Sequence, residues 1–191
     1  MICAVLTATA PAAHAGSNHK IAIHVLSHER RTCDSGLPRI QTCKDIQYTY
    51  DACTDIDVFP IFFDLSGVTG IEVGLMWPGS WGSCAFTPCG FDFVIGTIEQ
   101  PGDAMAGTWY QCRHDLCVVA GYGWLAPSSG GEICPVPSAV TDFMGVTDCD
   151  FVQYPPAAYY CAGACGTGGE NPCGGGISEG KSWGAIKSMF K

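Results

Sequence analysis

The sequence predicts an all-β fold: an antiparallel β-sandwich of about seven to eight short strands, disulfide-rich, ending in a short C-terminal amphipathic helix. Three observations lead there. Short runs alternate apolar and polar residues with a period of two, the signature of half-buried strands. Gly, Pro, Asn and Asp turns separate those runs, and no stretch between residues 16 and 173 sustains the 3.6-residue spacing of a helix. Cysteine is dense, with 13 in 191 residues, while charged residues are 14% and apolar residues 47%. That balance supports a packed, cross-linked domain rather than disorder.

Residues 20–26 (KIAIHVL) open the series, with Ile21, Ile23 and Val25 on one face. Residues 27–56 are polar and hold three cysteines. They read as a long loop region pinned by disulfides, with a short strand at 47–50. Residues 57–64 (DVFPIFFD) are apolar on both faces and contain Pro60. Proline cannot donate to a ladder, so this strand is expected at a sheet edge or at a bulge. After the turn-rich 65–70, residues 71–77 (IEVGLMW) alternate cleanly and stop at Pro78-Gly79. Residues 92–98 form the next strand. Residues 107–112 and 116–125 form a pair of strands around Arg113-His114-Asp115, and a last strand is expected over 139–146. Beyond Asp150 the chain is rich in Pro, Gly, Tyr and Cys and shows no period.

Residues 1–15 read as a signal peptide. Met1 to Ala13 is apolar and small, and Ala13-His14-Ala15 has the A-x-A cleavage form, although no Lys or Arg follows Met1. Residues 16–173 form the disulfide-stapled sandwich, 174–180 (GGGISEG) a Gly-rich linker, and 181–191 a basic amphipathic tail. The tail differs from everything before it. Trp183, Ile186 and Met189/Phe190 fall at helical spacing, and residues 174–191 are net +2 while 16–173 are net −11. A helix of this length is marginal alone in water, so it needs a partner surface, whose identity the sequence does not give.

Removing Cys3 with the leader leaves Cys33, Cys43, Cys53, Cys84, Cys89, Cys112, Cys117, Cys134, Cys149, Cys161, Cys165 and Cys173. This even, dense set reads as six disulfides made in an oxidising compartment. There is no CxxC, which weighs against zinc knuckles and thioredoxin-type chemistry. Twelve cysteines allow on the order of ten thousand connectivities, and spacing does not choose among them. Proximity in sequence favours Cys33–Cys43, Cys84–Cys89, Cys112–Cys117 and Cys134–Cys149. Cys53, Cys161, Cys165 and Cys173 are then left to pair among themselves.

The charge of −9 argues against nucleic acid as a partner, and the apolar runs fall far short of a transmembrane span. Four groups could carry chemistry. His19, His24 and His28 could offer zinc ligands, but His19 lies near the mature N-terminus and is expected to fray. His28-Glu29-Arg30-Arg31-Thr32 ends in Thr where HExxH needs His. Asp51, Asp55 and Asp57 could hold Ca²⁺ in a loop, although the spacing is not that of an EF-hand. A solvated acidic loop is the plainer account, as it is for Asp148 and Asp150. Arg113-His114-Asp115 suggests an acid/base group, yet no G-x-S-x-G elbow accompanies it, and a turn stapled by Cys112–Cys117 accounts for the three. Among the aromatics Trp77, Trp81, Trp109, Tyr110, Tyr122 and Trp124, core packing is the default. Trp81, in a Gly/Ser/Pro loop, is the expected exposed ligand-binding residue.

The run VTGIEVGLMWPGSWGSCAFTPC, with DFVIGTI, GTWYQC and GYGWL after it, resembles uncharacterised secreted bacterial Cys-rich β-sandwich proteins. Those proteins also end in a short tail similar to Ser182-Trp183-Gly184-Ala185-Ile186-Lys187. The sandwich part is distantly similar to cohesin-like binding modules. The resemblance spans roughly residues 20–173 plus the tail. It implies a secreted or surface module, with Trp183, Ile186 and Lys187 in a sorting or anchoring signal. The expected function is a non-catalytic module for adhesion or structure at a bacterial cell surface, meeting a protein or glycan and needing no cofactor. A carbohydrate-binding module using Trp81 and a metal-dependent hydrolase are the alternatives.

Overall fold

A computed structural model describes residues 18–29, 31–33, 38–83 and 85–174. They form two sheets around a common core, the all-β sandwich expected. In chain order the strands are β1 (Lys20–Ser27), β2 (Thr49–Tyr50), β3 (Ile56–Phe63), β4 (Val68–Met76), β5 (Gly82–Ser83), β6 (Thr87–Pro88), β7 (Phe93–Gly96), β8 (Ala104–Arg113), β9 (Cys117–Val119), β10 (Gly121–Ala126), β11 (Gly131–Val136), β12 (Gly145–Asp148), β13 (Gln153–Tyr154), β14 (Ala158–Tyr160) and β15 (Ala162–Ala164). Eight of these have four or more residues, and the rest are short splints.

The first sheet runs β14-β1-β3-β10, with β9 beside β3 and with β5 and β6 beside β10. The second places β8 on one side of β4, with β7 outside β8. On its other side β4 pairs with β12 and β11, which lead on to β13 and to β15-β2. Pairing is antiparallel except for β1 with β14 and β15 with β2.

The alternation read from the sequence fills the space between the sheets. Ile21, Ile23 and Val25 of β1 meet Ile71, Val73 and Leu75 of β4 in one buried cluster. Each such side chain contributes about 1.5–3 kcal/mol on burial. The run 56–63 is apolar on both faces because the first sheet is buried on both. Phe59, Ile61 and Phe63 point outward, into a second cluster closed by Ile40, Cys43 and Ile46. Within the region expected as a pinned loop, residues 38–46 therefore lie as a lid over that face.

Pro60 does not mark an edge. β3 pairs with β1 along its whole length and with β9 and β10 on the other side. The missing donor falls where that second partner is interrupted, between β9 and β10, and there Ala120 N–H donates to the Pro60 carbonyl at 3.0 Å. Gly121 makes the interruption, at φ +151°, where a Cβ would run into the Thr87 carbonyl oxygen. β3 is not bulged either, since its register with β1 is unbroken; the irregularity lies in its partner, between β9 and β10. The last predicted strand is displaced too: 139–142 is a turn. β11 lies before it, hidden in the sequence by Gly130, Gly131 and Pro135, and β12 begins at Gly145. The aperiodic stretch after Asp150 supplies β13, β14 and β15.

Five disulfides join the described residues: Cys33–Cys89, Cys43–Cys173, Cys53–Cys165, Cys112–Cys149 and Cys134–Cys161. None of the four sequence-local pairs forms as expected, since Cys33, Cys43, Cys89, Cys112, Cys134 and Cys149 all bond elsewhere. Cys84 itself lies outside the described residues. Of the four cysteines left over, Cys53 and Cys165 do bond each other. Sheet neighbourhood, not loop length, sets the pairing. Cys134 on β11 meets Cys161 beside β15, and Cys53 and Cys165 follow the paired strands β2 and β15. Cys117 is a thiol, half-buried, and burial pushes its pKa up to about 12. The leader over 1–15, and the linker and tail beyond Gly174, lie outside the described residues.

His24 gives the fold a pH dependence. Its ring is buried beside Phe59, and Nδ1 accepts from Gln47 N–H at 2.8 Å. Burial, with the nearby Arg31 charge second, lowers its pKa to about 4. Above pH 6.5 both folded and unfolded chains are neutral here. Between about 6.5 and 4 only the unfolded chain takes the proton, so stability falls as pH falls. The loss approaches about 3 kcal/mol at the lower end. Denaturant unfolding at stepped pH should show this slope, flattened in His24→Gln; an equal slope in the variant would assign it to other groups.

Candidate interaction face

The residues that sequence reasoning singled out do not converge. Asp57 lies on β3, only 1% exposed, and points into the covered face of the first sheet. His28 Nδ1 donates to Oδ1 at 2.8 Å, while Glu29 N–H and Arg31 Nε donate to Oδ2 at 3.0 and 2.6 Å. Arg31 in turn stacks over Phe59 at 5.5 Å. The Asp57 carboxylate is committed to a structural clamp that fastens the lid, whereas Asp51 and Asp55 are exposed. The three do not form the Ca²⁺ loop considered above. Asp148 is equally inward, capping its own turn by accepting from Asp150 N–H and Val152 N–H, both at 2.9 Å. His19 is fully buried rather than frayed, because the chain around it is held by β14, with Ala157 N–H donating to the His19 carbonyl.

Trp81 is 4% exposed, so it is core and not a ligand platform. Its backbone N–H closes a turn onto the Pro78 carbonyl, and its ring lies under Gly131, where any side chain would collide with it. The Gly/Ser/Pro setting that made it look exposed is the tight turn that tucks it in. Trp77 and Trp109 are buried as well. Arg113 closes on Asp115 at 2.6 Å and covers the Trp109 ring. The turn there is tied by Cys112–Cys149 and not by Cys112–Cys117. Two groups of metal-capable side chains do converge among the described residues. They are Cys112, His114 and Cys149, and Glu132, Cys134 and Cys161, with the sulfurs of each joined as a disulfide.

Leu116, Val140 and Phe151 are exposed in turns and loops, whereas the outer face of the second sheet carries exposed apolar residues on a strand. Val94 points into the core, so its neighbours Phe93 and Ile95 point out, 55% and 63% exposed. The register extends each of them into a row across the sheet. Phe93 stands opposite Thr108, which leads to Gly70 and Thr147. Ile95 stands opposite Ala106, which leads to Glu72 and Gly145. The result is a shallow floor of small side chains with two large apolar residues along one edge. Tyr110, 85% exposed, extends the edge. Glu72 is fixed on the floor by Thr141 Oγ1, which donates to it at 2.5 Å. The available signal was the run DFVIGTI, apolar at both parities, which requires one set of side chains to face outward on any sheet covered on one side only.

No protein-family profile matches the sequence, and no characterised protein matches it. Solved structures do. A type II cohesin domain from the cellulosome of Acetivibrio cellulolyticus superposes with a TM-score of 0.52 at 8% identity, over 78% of this chain and 95% of the cohesin. A cohesin–X-dockerin complex from the same bacterium gives 0.49 at 7% identity, over 77% and 99%. The second type II cohesin module of its ScaA scaffoldin gives 0.46 at 6%, over 83% and 98%. The chain therefore has a cohesin-like β-sandwich fold, as the resemblance in its sequence implied.

Proposed function

We propose that this chain is a non-catalytic binding module of the exported, disulfide-stapled kind, which holds a partner protein against the outer face of β7, β8, β4 and β12. One contrast supports this most directly. The chain lays a lid over the outer face of its first sheet, yet among the described residues it leaves Phe93 and Ile95 uncovered on the second. Aromatic and aliphatic anchors beside a flat floor are what a protein partner can bury. The likeness to cohesins supports the same class through its fold. Five disulfides in one domain favour work outside the reducing cytoplasm.

Phe93→Asp with Ile95→Asp is expected to leave the melting temperature nearly unchanged. The same variant should weaken capture of a protein from the source organism's exported fraction by about a hundredfold, the scale of losing two anchors. Equal capture by the variant would sink the assignment of this face. The tail beyond Gly174 has a separate role in sorting or anchoring through Trp183, Ile186 and Lys187. Deleting residues 175–191 should release the protein from the cell surface without lowering its melting temperature, and a large drop would place the tail in the core instead.

A further inference from the structure

The geometry points to a second state of the Cys112–Cys149 bridge: once it is reduced, Cys112, Cys149 and His114 hold a zinc ion between β8 and β12. The three ligand atoms lie within 4.8 Å of one another, and His114 Nε2 is 3.5 Å from Cys112 Sγ. Two thiolates and an imidazole suit tetrahedral zinc with water in the fourth place, and Zn–S bonds of about 2.3 Å set the sulfurs about 3.7 Å apart. Only a small opening from the disulfide is needed.

What makes the site persist without the bond is the strand between its two halves. β4 pairs with β8 on one side and β12 on the other, and its first residue, Val68, is opposite both Arg113 and Asp148. Carried one residue further, that register puts His114 and Cys149 on either side of Gly67, with Cys112 just before Arg113 on β8, and these ladders do not depend on sulfur. Gly67 is also the floor of the site. It sits at φ +137°, and a Cβ there would stand 3.1 Å from Cys149 Sγ and 3.4 Å from His114 Nδ1. The site opens on an outer cleft of about 530 Å³ that Asp92 and Asp115 help to line, so a reductant and a hydrated cation can both enter. Cys112 and Cys149 are half-buried, in contrast with the fully enclosed Cys134–Cys161.

The chemistry balances with a low-molecular-weight thiol as reductant. Two such thiols give up two electrons and two protons and leave as their own disulfide, while Cys112 and Cys149 become thiols. Zinc then displaces both thiol protons to water and takes the imidazole through a ring nitrogen. The tie across β4 survives as S–Zn–S, so the module keeps this cross-link whether its surroundings oxidise or reduce.

The test uses the full chain. Graded monothiol followed by alkylation and mass mapping should label Cys112 and Cys149 before the enclosed Cys134 and Cys161. The reduced chain should then take one cobalt(II), with the charge-transfer and intense visible bands of tetrahedral thiolate ligation, and zinc should displace it. His114→Ala, which leaves the disulfide intact, should weaken cobalt binding by at least about tenfold, and Cys112→Ser with Cys149→Ser should abolish the bands. The inference is overturned if Cys134–Cys161 opens before Cys112–Cys149, or if the sheet signal in circular dichroism collapses on reduction. It is equally overturned if no bands form, or if the bands are the same in either variant.

Discussion

Asp57→Ala is expected to cost about 3–5 kcal/mol, the usual scale for removing one partner of a buried ion pair. In a domain of this size that lowers the melting temperature by roughly 10 °C. The cost comes from what remains. The Arg31 side chain is only 9% exposed, and without Asp57 its guanidinium loses its 2.6 Å carboxylate partner, while the exposed Glu29 carboxylate and the Ser27 carbonyl stand further off, both at 3.4 Å. Glu29 N–H and His28 Nδ1 lose their acceptor at the same time. These three donors belong to the start of the lid, so the loss should also loosen Ile40 and Ile46 over Phe59 and Ile61. Hydrogen exchange should report faster opening of residues 38–46 together with the fall in stability. A cost below about 1 kcal/mol, the scale of a surface pair, would show that the clamp does not hold the lid. Asp57→Asn, which can still accept two of the three bonds, should fall between the two.

The same clamp shows what could and could not be read in advance. Periodicity placed β1, β3, β4 and the runs that form β8 and β9–β10 within a few residues, because inward faces such as Ile21/Ile23/Val25 and Ile71/Val73/Leu75 are local patterns; it mispaired the last two, since β8 joins β4 and β7 in the second sheet while β9 joins β3 in the first. The role of Asp57 was not local. Its spacing to Asp51 and Asp55 suggested a shared loop, but strand alternation turns it toward donors that lie 26 to 29 residues earlier. Cysteine number and parity gave covalent cross-linking, while the pairing depends on which strands become neighbours, and loop length says little about that. Phe93 and Ile95 were visible as strand residues and silent as a binding edge, since nothing in a two-sided apolar run says which side goes uncovered. Trp81 is the opposite case: its Gly/Ser/Pro neighbours form a tight turn, and a turn composition does not distinguish a ring held outside from one tucked beneath.

Cys43–Cys173 and Cys53–Cys165 are nested, and removing both should cost more than the sum of removing each. They close sequence separations of 130 and 112 residues, and Cys53–Cys165 follows directly on the parallel pair β2 and β15. With one bridge intact, the other closes only the short detour from Cys43 to Cys53 and from Cys165 to Cys173, about 18 residues, worth about 3 kcal/mol in the chain-entropy model. With neither, the unfolded chain gains the freedom of a loop of on the order of a hundred residues, worth up to about 4.7 kcal/mol in addition. Cys43→Ser/Cys173→Ser and Cys53→Ser/Cys165→Ser should each cost about 3 kcal/mol. The fourfold variant should cost roughly 7–8, with the excess of about 1–2 kcal/mol as the signature of nesting. That total is comparable to the whole stability of a typical domain, so the fourfold variant should be largely unfolded at growth temperature. Cys53 and Cys173 are exposed and Cys43 and Cys165 half-buried, so serine adds little cost of its own. Denaturant unfolding of the three variants measures the excess directly. Simple additivity would mean that the β2–β15 pairing already holds these ends together in the unfolded chain, and that the two bridges do not share one constraint.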